Sequence, residues 1–292
     1  MKEITGHTVL TGLLGSPVKH SISPMMHNEA FRQLDLDYVY LAFDVPKEQL
    51  KTAVEGLKIL GVRGFNLTMP HKTQMAQIAD VLSPAAKLCG SVNTVVNDNG
   101  VLTGHTTDGV GYMLAAKDAG YDLPGKTMTL LGAGGAATSI FVQSALDCMK
   151  EVRFFNRKSP TYEKAEALIE KVNKTTGCLV TLHDLSDSNA LHQSILTSDI
   201  LTNATNIGMA PDTDGCPVND PDVLHPGLVV SDIIYNPEET RLMKLARARG
   251  CAAFNGLYML LYQGAEAFRL WTGYDMPVQI IKSKYFSRSN ES

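Results

Sequence analysis

The sequence has few cysteines, and they follow no pattern. Its 292 residues include five cysteines, an odd number, without a Cys-x-x-Cys pair. A disulfide framework usually shows an even number of cysteines at regular spacings, so we expect these thiols to be reduced. Scattered, reduced cysteines are typical of a cytoplasmic protein, and we expect that location.

Long apolar runs and an excess of basic residues are also missing. The first ten residues, MKEITGHTVL, lack the apolar core of a signal peptide, and no later run is long enough to span a bilayer. Lysine and arginine total 26 against 30 acidic residues, which gives a formal net charge of -4. We therefore expect neither a membrane nor a nucleic-acid partner, and any anionic ligand must be bound by local groups.

What is present is an alternation of strands and helices in a chain long enough for two domains. Apolar, β-rich segments at Tyr38–Phe43 and Val62–Thr68 flank an amphipathic helical segment. Such alternation predicts an α/β fold with a mainly parallel sheet. In these sheets ligands bind at the carboxyl ends of the strands, and Asn66, Thr68 and Lys72 lie at or just after such an end.

A glycine-rich turn follows an apolar strand in the middle of the chain. The strand is Thr127–Leu131, the turn is GAGGAA at 132–137, and a helical segment then leads to the apolar run Val152–Phe155. In this order, Gly132 allows the turn, Gly134 lets the backbone approach a pyrophosphate, and Ala137 lets helix and strand pack closely. The alternative is an ordinary glycine turn, but the strand–turn–helix–strand context favours dinucleotide binding at a helix N-terminus.

Two serines stand at the start of another predicted helix, which runs from about Pro24 to Leu34. Pro24 suits the first turn of this helix and Ser23 its N-cap. Two hydroxyls at a helix start, Ser21 and Ser23, also suit a small carboxylate, helped by the positive end of the helix dipole. Ser23 is therefore interpreted either as a plain N-cap or as a ligand-binding residue.

Two charged residues follow predicted turns and suit acid–base chemistry. Lys72 comes directly after a strand and a proline turn, although an isolated lysine is by default a surface residue. Asp108 begins a helix after a predicted hairpin at Asn97–Gly100, where it could equally serve as a helix cap. Both interpretations stay open for each residue.

Eight short motifs occur in a defined order along the chain. They are HSISP at 20–24, NLTMPHK at 66–72, GSVNT at 90–94, TDGVG at 107–111, GAGGAA at 132–137, NRK at 156–158, IIYNP at 233–237 and YQGAEAF at 262–268. Together they resemble the shikimate dehydrogenase family over essentially the whole length of the chain. LSPAAKL at 82–88 and the FNRK motif are most similar to its quinate/shikimate branch.

The resemblance implies a reversible reaction of the shikimate pathway of aromatic amino acid biosynthesis. A nicotinamide cofactor exchanges a hydride with a ring carbon that bears a hydroxyl, interconverting shikimate and 3-dehydroshikimate, or quinate and 3-dehydroquinate. Position by position, the resemblance makes Lys72 the proton-transfer residue and Asp108 its partner. The substrate-binding residues that it implies are Ser21, Ser23, Tyr40, Thr68, Lys72, Asn93, Asp108 and Gln263.

The resemblance also implies how the chain is divided. Residues 1–107 are expected to form a substrate-binding catalytic domain, completed by C-terminal helices at 255–292, and residues 108–254 a Rossmann domain that binds NAD or NADP. No metal ion is expected. The cofactor-binding residues that it implies are Gly132, Ala133, Gly134, Gly135, Ala136, Asn156, Arg157, Lys158, Ser159, Thr205, Tyr235 and Gly256.

The choice between NAD and NADP stays open. The segment Asn156–Ser159 has none of the acidic residues that often bind the ribose 2′-hydroxyl in NAD-dependent relatives. Arg157 and Lys158 favour a 2′-phosphate by their charge, and Ser159 suits either cofactor. We therefore expect the protein to use both.

The required chemistry agrees with a lysine at the site. Turning a hydroxyl into a ketone removes a proton and a hydride, and the protein must move the proton. A lysine can do so if burial lowers its pKa, or it can stabilise the developing alkoxide charge. A nearby Asp108 would instead favour the charged ammonium form, and the sequence does not decide between these effects.

Two other functions are compatible with such a fold. One is a non-catalytic sensor that binds the same ligands, and the presence of both Lys72 and Asp108 argues against it. The other is a different two-domain dehydrogenase, such as a methylenetetrahydrofolate or amino-acid type, which would lack the HSISP motif together with Gln263. The expected partner is a small-molecule substrate, with a homodimer as one possible assembly.

Overall fold

The computed structural model describes residues 3–132, 134–158, 160–218 and 220–286. These residues form two compact units. Those up to Thr107, together with those from Leu261 onward, form the first unit, and Asp108–Leu260 forms the second. The second unit thus ends at Leu260, inside a helix, whereas the expected boundary between the two domains was at residue 254. No helix in the described part of the chain is long and apolar enough to cross a membrane.

Strands and helices alternate through most of both units. The strands are β1 (Val9–Gly15), β2 (Tyr38–Asp44), β3 (Gly64–Leu67), β4 (Val81–Leu82), β5 (Thr94–Asp98), β6 (Val101–His105), β7 (Thr127–Leu131), β8 (Glu151–Asn156), β9 (Leu179–Asp184), β10 (Ile200–Asn203), β11 (Val229–Asp232) and β12 (Ala252–Asn255). The α-helices are α1 (Ser23–Gln33), α2 (Leu50–Ile59), α3 (Lys72–Ile78), α4 (Pro84–Cys89), α5 (Asp108–Asp118), α6 (Gly135–Leu146), α7 (Pro160–Thr175), α8 (Ser188–Leu196), α9 (Arg241–Ala248), α10 (Leu257–Thr272) and α11 (Val278–Ile281). Short 3₁₀ turns occur at Lys47–Gln49 and Pro221–Val223, and α11 continues into a π-helical turn at Lys282–Phe286.

The sheet of the first unit has the strand order β2-β1-β3-β5-β6-β4. Strand β1 is parallel to both neighbours, and β4 is parallel to β6, whereas β5 is antiparallel to β3 and β6. The predicted hairpin is present between β5 and β6, where Asn99 and Gly100 have positive φ angles of 53° and 91°. Because β1 and β3 are parallel, the segments that follow them leave the sheet at the same edge.

Side-chain hydroxyls mark the start of two helices. The segment 71–90 is interrupted by β4, since Val81 and Leu82 pair with β6 and the Ser83 hydroxyl then caps α4 at Ala86 N, at 3.3 Å. Helix α9 begins at Arg241, where the Thr240 hydroxyl accepts a hydrogen bond from Met243 N at 3.4 Å.

The sheet of the second unit has the order β12-β11-β10-β7-β8-β9, and every one of its pairings is parallel. The strand order reverses between β7 and β10. At such a reversal the connections leave in opposite directions, which opens a crevice at the carboxyl ends of the strands. The two sheets confirm the predicted α/β fold with mainly parallel strands.

The first unit has an aromatic core around the one tryptophan of the chain. Trp271, on α10, donates from Nε1 to the backbone oxygen of Val95 on β5, at 2.9 Å. Gly64 permits this contact, because a Cβ at that position would lie 2.3 Å from the same nitrogen. Helix α10 is thereby anchored to the sheet of the first unit.

His27, on α1, is enclosed by this core. Its ring centroid lies 5.2 Å from that of Trp271 and 4.5 Å from that of Tyr40. Neither ring nitrogen has a hydrogen-bond partner among the described residues. Burial lowers the pKa of His27 to about 3, so the imidazole is neutral over the physiological range.

This burial predicts a pH-dependent stability. The unfolded chain binds a proton at His27 below a pH of about 6.5, whereas the folded chain does not until about 3, so acid favours unfolding in that window. We expect wild-type protein to lose stability relative to a His27→Phe variant as the pH falls from about 6.5 to about 4, by on the order of 1 kcal/mol per pH unit. Urea unfolding midpoints over a pH series measure the difference.

Phe31→Leu is the matched control, because it alters the same core without a titratable group. Its difference from wild type is expected to stay constant over the series. A constant difference for His27→Phe as well would show that His27 is not the group that titrates on unfolding.

Candidate active site

The start of α1 brings the two predicted serines together. The Ser21 hydroxyl oxygen accepts a hydrogen bond from the Ser23 backbone N–H at 3.2 Å. Ile22 occupies the N-cap position and Ser23 is already helical, so the interpretation of Ser23 as an N-cap is wrong. Its hydroxyl instead lies close to the phenol of Tyr40 and lowers the pKa of that phenol. Both serines therefore lie at the positive end of the dipole of α1, and neither occupies the N-cap position of this helix.

Tyr40 continues the network into the sheet. Its hydroxyl donates to Oδ1 of Asn66, on β3, at 2.8 Å. Burial raises the pKa of the Tyr40 phenol, and the hydrogen bond with Ser23 offsets part of that rise. The phenol therefore stays protonated and acts as a hydrogen-bond donor.

Asn66 connects Tyr40 to the next strands. Its Nδ2 donates to the Thr94 hydroxyl at 2.9 Å and to the backbone oxygen of Asn93 at 3.2 Å. Oδ1 of Asn93 accepts from the backbone N–H of Thr107 at 2.8 Å and from the Thr94 hydroxyl at 3.1 Å. These bonds fix the side-chain amide of Asn93, with its oxygen toward Thr107 and its NH₂ group directed elsewhere.

Asn66 and Thr107 belong to this network but are not among the predicted substrate contacts. Both are buried, with 6% and 1% of their surface exposed. Each lies in a quoted motif, NLTMPHK or TDGVG, beside a residue that was selected. Asn66 was expected at a strand end where ligands bind, and its polar side chain inside an otherwise apolar strand is the signal for a hydrogen-bonding role, because buried polar groups need partners.

Lys72 is positioned by its backbone. It is the first residue of α3, its backbone oxygen accepts from Val92 N at 2.9 Å, and its side chain is half-buried. The preceding His71 is fully buried, and its Nε2 contacts the backbone oxygen of Val45 at 2.8 Å. Thr68 closes the turn before α3, since its backbone oxygen accepts from His71 N at 3.0 Å. Backbone hydrogen bonds therefore fix the turn from which the Lys72 side chain projects, both before and at the lysine.

Gln263 and Asp108 lie at different places in the fold. Gln263 is on α10 in the first unit, next to Gly264, where a Cβ would lie 2.2 Å from Cε of Met26 on α1. This close approach packs the middle of α10 against α1. Asp108 is the first residue of α5 and belongs to the second unit. That Asp108 and Lys72 meet stays a prediction.

The glycine turn of the second unit has the features that a pyrophosphate requires. Gly132 has a φ of 132°, and a Cβ there would lie 2.5 Å from the backbone oxygen of Ala204, so only glycine fits. Gly134 is the N-cap of α6 and provides no side-chain cap, and no atom lies within 4 Å of a Cβ at Gly134 or Gly135. The chain therefore leaves room beside Gly134 and Gly135 at the N-terminus of α6, where the first backbone N–H groups have no partner within the helix, next to Ala136.

The end of β8 carries the basic residues of the predicted set. Asn156 is buried, and its Nδ2 has no hydrogen-bond partner among the described residues. Arg157 and Lys158 follow it and are exposed. Lys158 Nζ lies 3.5 Å from Oδ2 of Asp184, at the end of β9. A donor amide and two cations beside an open crevice fit the adenosine half of a dinucleotide, including a 2′-phosphate.

Asp184 was not predicted. An acidic residue at this site was expected at the end of β8, whereas Asp184 comes from the neighbouring strand, which pairs with β8 through Asn156. Its backbone hydrogen bond from Ser186 lowers the pKa of the carboxyl, so it is ionised at neutral pH. It therefore places a negative charge beside Lys158, which bears on the choice of cofactor.

The loops after β10 and β11 are tied together by a buried acid. Asp232 accepts from Asn203 Nδ2 and Ile234 N, each at 3.1 Å, and from the Thr240 hydroxyl at 2.7 Å. Asn203 in turn accepts from the hydroxyl of Thr205 at 2.7 Å. These bonds hold the loop that carries the predicted Thr205. Neither Asn203 nor Asp232 was predicted, because their role is to support loops rather than to contact a ligand.

The remaining predicted cofactor residues differ in how exposed they are and in how they pack. Tyr235 is exposed at 53% of its surface, just after β11. Gly256 is buried, and a Cβ there would lie 1.9 Å from the backbone oxygen of Ile233, so packing alone requires glycine at this position. Its contact with a cofactor stays a prediction. Ala133 and Ser159 lie outside the described residues.

Comparison with known families and proteins agrees with this arrangement. Residues 13–95 match a family model described as the shikimate dehydrogenase substrate binding domain, and residues 256–283 match one described as the shikimate 5′-dehydrogenase C-terminal domain. The chain is 52% identical to a shikimate dehydrogenase (NADP(+)) of Listeria monocytogenes over 285 residues, 98% of each chain. It is 45% identical to a quinate/shikimate dehydrogenase of Escherichia coli over 280 residues, 96% of this chain and 97% of the other.

A solved structure agrees at the level of the fold. The crystal structure of shikimate 5-dehydrogenase from Listeria monocytogenes, in complex with shikimate and NAD, superposes with a TM-score of 0.93. The two chains are 52% identical, and the match covers 97% of this chain and 98% of that one. The match includes the N-terminal substrate domain and the Rossmann domain. These findings confirm the resemblance inferred from the eight motifs, and the chain belongs to the shikimate dehydrogenase family of NAD(P)-dependent oxidoreductases.

Proposed function

We propose that this protein catalyses the reversible, NAD(P)-dependent interconversion of shikimate and 3-dehydroshikimate, with quinate and 3-dehydroquinate as a second substrate pair. The observation that carries the proposal is the connected network of Ser23, Tyr40, Asn66, Asn93 and Thr107 at one edge of the first sheet. A ring that bears a carboxylate and several hydroxyls needs such a set of fixed donors and acceptors. Membership in the family supplies the reaction class.

The two ends of the network suit the two ends of the substrate. Ser21 and Ser23 lie at the N-terminus of α1, where hydroxyl donors and the helix dipole favour a carboxylate. The side-chain amide of Asn93, whose oxygen accepts from Thr107 N, is assigned to a ring hydroxyl. Thr68 and Gln263 add further hydroxyl and amide groups in the same unit, so the first unit alone can orient the ring.

We assign the transfer of the hydroxyl proton to Lys72, with Asp108 as its partner. Oxidation of a ring hydroxyl releases a proton. Either the neutral amine of Lys72 takes up that proton, or the ammonium form of Lys72 stabilises the negative charge that develops on the ring oxygen. Asp108 favours the charged form of the lysine and orients it. When bound, the nicotinamide ring accepts or donates the hydride.

The second unit holds the cofactor through groups that the structure exposes. The open N-terminus of α6 receives the pyrophosphate, and Gly134 and Gly135 let it approach the backbone. Asn156, Arg157 and Lys158 receive the adenosine ribose, with the basic pair favouring NADP. Asp184 supplies the acceptor that a free ribose hydroxyl prefers, so the same pocket accommodates NAD.

A homodimer and a cytoplasmic location stay predictions. Among the residues described, the absence of a membrane-spanning helix is compatible with that location.

The substrate and the catalytic lysine are tested together. Purified protein should reduce NADP in the presence of shikimate, followed by the absorbance of the reduced nicotinamide, with quinate and a panel of other hydroxy acids as comparison. Lys72→Met, which keeps the side-chain length, should lower kcat by about 10²- to 10⁴-fold because the proton-transfer group is lost. Calorimetry should show shikimate binding within about threefold of wild type, because the hydroxyl and amide contacts remain.

Lys87→Met is the matched control, since Lys87 is an exposed lysine on the neighbouring helix α4. It should retain the wild-type kcat. Full turnover by Lys72→Met would refute the assignment of the lysine. Binding of shikimate and cofactor without any absorbance change in the wild-type protein would instead indicate a non-catalytic binding protein.

The basic end of β8 gives a prediction about cofactor choice. Lys158→Ala removes a cation from the predicted 2′-phosphate position and leaves Asp184 unopposed. Because the lysine is largely exposed, we expect the KM for NADP to rise only about 5- to 10-fold, and the KM for NAD to change by less than about twofold. Steady-state kinetics with each cofactor at saturating shikimate measure both values.

Lys150→Ala controls for the change in net charge. Lys150 is exposed and precedes the same strand, at the end opposite to Lys158. It should leave both KM values unchanged. Equal effects of Lys158→Ala on NAD and NADP would mean that the lysine does not bind the 2′ position.

A further inference from the structure

His27 is a buried group with no part in the chemistry assigned above. It lies on α1 one helical turn after Ser23, so the two side chains project from the same face of the helix. Its exposed surface is 0%, and a Cβ on Gly264 would lie 3.6 Å from its Nε2. The imidazole therefore fills the space between the middle of α10 and the ring of Tyr40.

The face of the imidazole packs against the phenol ring of Tyr40. The two ring planes are nearly parallel, at 12°, with centroids 4.5 Å apart. Phe268 is also nearly parallel to the imidazole, at 14° and 6.2 Å, and Trp271 is tilted against it. A phenol held by a stacked neighbour loses freedom to tilt, so the direction of its hydroxyl is determined.

The hydroxyl of Tyr40 joins the two ends of the proposed substrate site. It donates to Asn66 Oδ1, at 2.8 Å, on one side and lies close to the Ser23 hydroxyl on the other. Asn66 then holds the main chain of Asn93 through its Nδ2, at 3.2 Å. A shift of the phenol would thus disturb both the carboxylate end and the ring-hydroxyl end.

We propose that His27 is a positioning residue for substrate binding: by stacking on Tyr40 it holds the phenol oxygen between Ser23 and Asn66 before the substrate arrives. The proposal rests on the proposed function, because that function makes Ser23, Tyr40 and Asn93 substrate contacts. Preordering these groups lowers the entropy that the complex would otherwise lose, so its effect falls on substrate affinity.

The aromatic face of His27, rather than its nitrogen atoms, makes the contact. His27→Phe keeps a flat ring on Tyr40, whereas His27→Leu keeps a similar volume and removes the flat face. The conservative variant should therefore rescue what the aliphatic one loses.

The first test is steady-state kinetics at saturating cofactor. For His27→Leu we expect the KM for shikimate to rise about tenfold, with kcat and the KM for NADP within about threefold of wild type. For His27→Phe the KM for shikimate should stay within about threefold. Equal losses in the two variants, or a loss confined to kcat, would overturn the proposal.

The second test asks whether His27 acts through Tyr40. In a double-mutant cycle, Tyr40→Phe removes the hydroxyl that His27 is proposed to orient. His27→Leu should then add less than about twofold to the KM for shikimate in the Tyr40→Phe background. A full, additive effect of His27→Leu in that background would contradict the proposed route.

The variant Phe31→Leu distinguishes the proposed positioning role of His27 from a purely structural one. Phe31 is on the same helix one turn later, is 1% exposed and stacks on Phe268 at 5.1 Å, whereas its ring is tilted against that of His27 at 6.3 Å. It should lower the melting temperature about as much as His27→Leu while leaving the KM for shikimate unchanged. An equal rise in KM for Phe31→Leu would mean that loss of core packing alone explains the effect of His27→Leu. If His27→Leu does not fold, His27→Met takes its place in the cycle.

The proposed function itself would fail if wild-type protein neither bound nor turned over shikimate, and this outcome is distinct from those above.

The orientation of Tyr40 can be measured without ligand, by solvent exchange of its hydroxyl proton in the NMR spectrum. We expect slow exchange in wild type and His27→Phe and faster exchange in His27→Leu. Unchanged exchange in His27→Leu would refute the positioning role.

Discussion

Parallel pairing of a few central strands is the constraint on which both units depend. Parallel strands end at one edge of a sheet, so the loops that follow them must begin side by side. In the first unit, Thr68 N is bonded to Leu14 O at 3.0 Å, and in the second, Ala204 N is bonded to Leu131 O at 2.8 Å. Each bond extends the ladder by one residue into a loop that carries proposed ligand contacts. The precision of the loops therefore comes from the sheet, not from the loops themselves.

Much of the site could be predicted from the sequence where the requirement is local. A glycine with a positive φ, a proline at the first turn of a helix and a hairpin of Asn and Gly each reflect the conformation of one or two residues. The turn at Gly132 and the hairpin at Asn99–Gly100 were predicted for this reason, and the structure has both. The same holds for α6, whose open N-terminus follows from a run of small residues.

The rest could not be predicted because it depends on which strands become neighbours. Asp184 reaches Lys158 only because β9 pairs with β8, and Asn66 reaches Thr94 only because β3 pairs with β5. Ser23 was open to interpretation as a cap because its true partner, Tyr40, is brought to it by the packing of α1 on β2. Sequence patterns describe the spacing of residues within one helix or strand, whereas these contacts join residues of different helices and strands.

Trp271 belongs to the first unit but lies near the end of the chain, after the whole of the second. During synthesis on the ribosome, the space beside Gly64 and the rings of Tyr40 and His27 thus stay without their tryptophan until Asp108–Leu260 has emerged. The second unit is contiguous and has all of its strands by then. The second unit can therefore fold as soon as it has emerged, whereas the first unit can complete its aromatic core only afterwards, when Trp271 has been added.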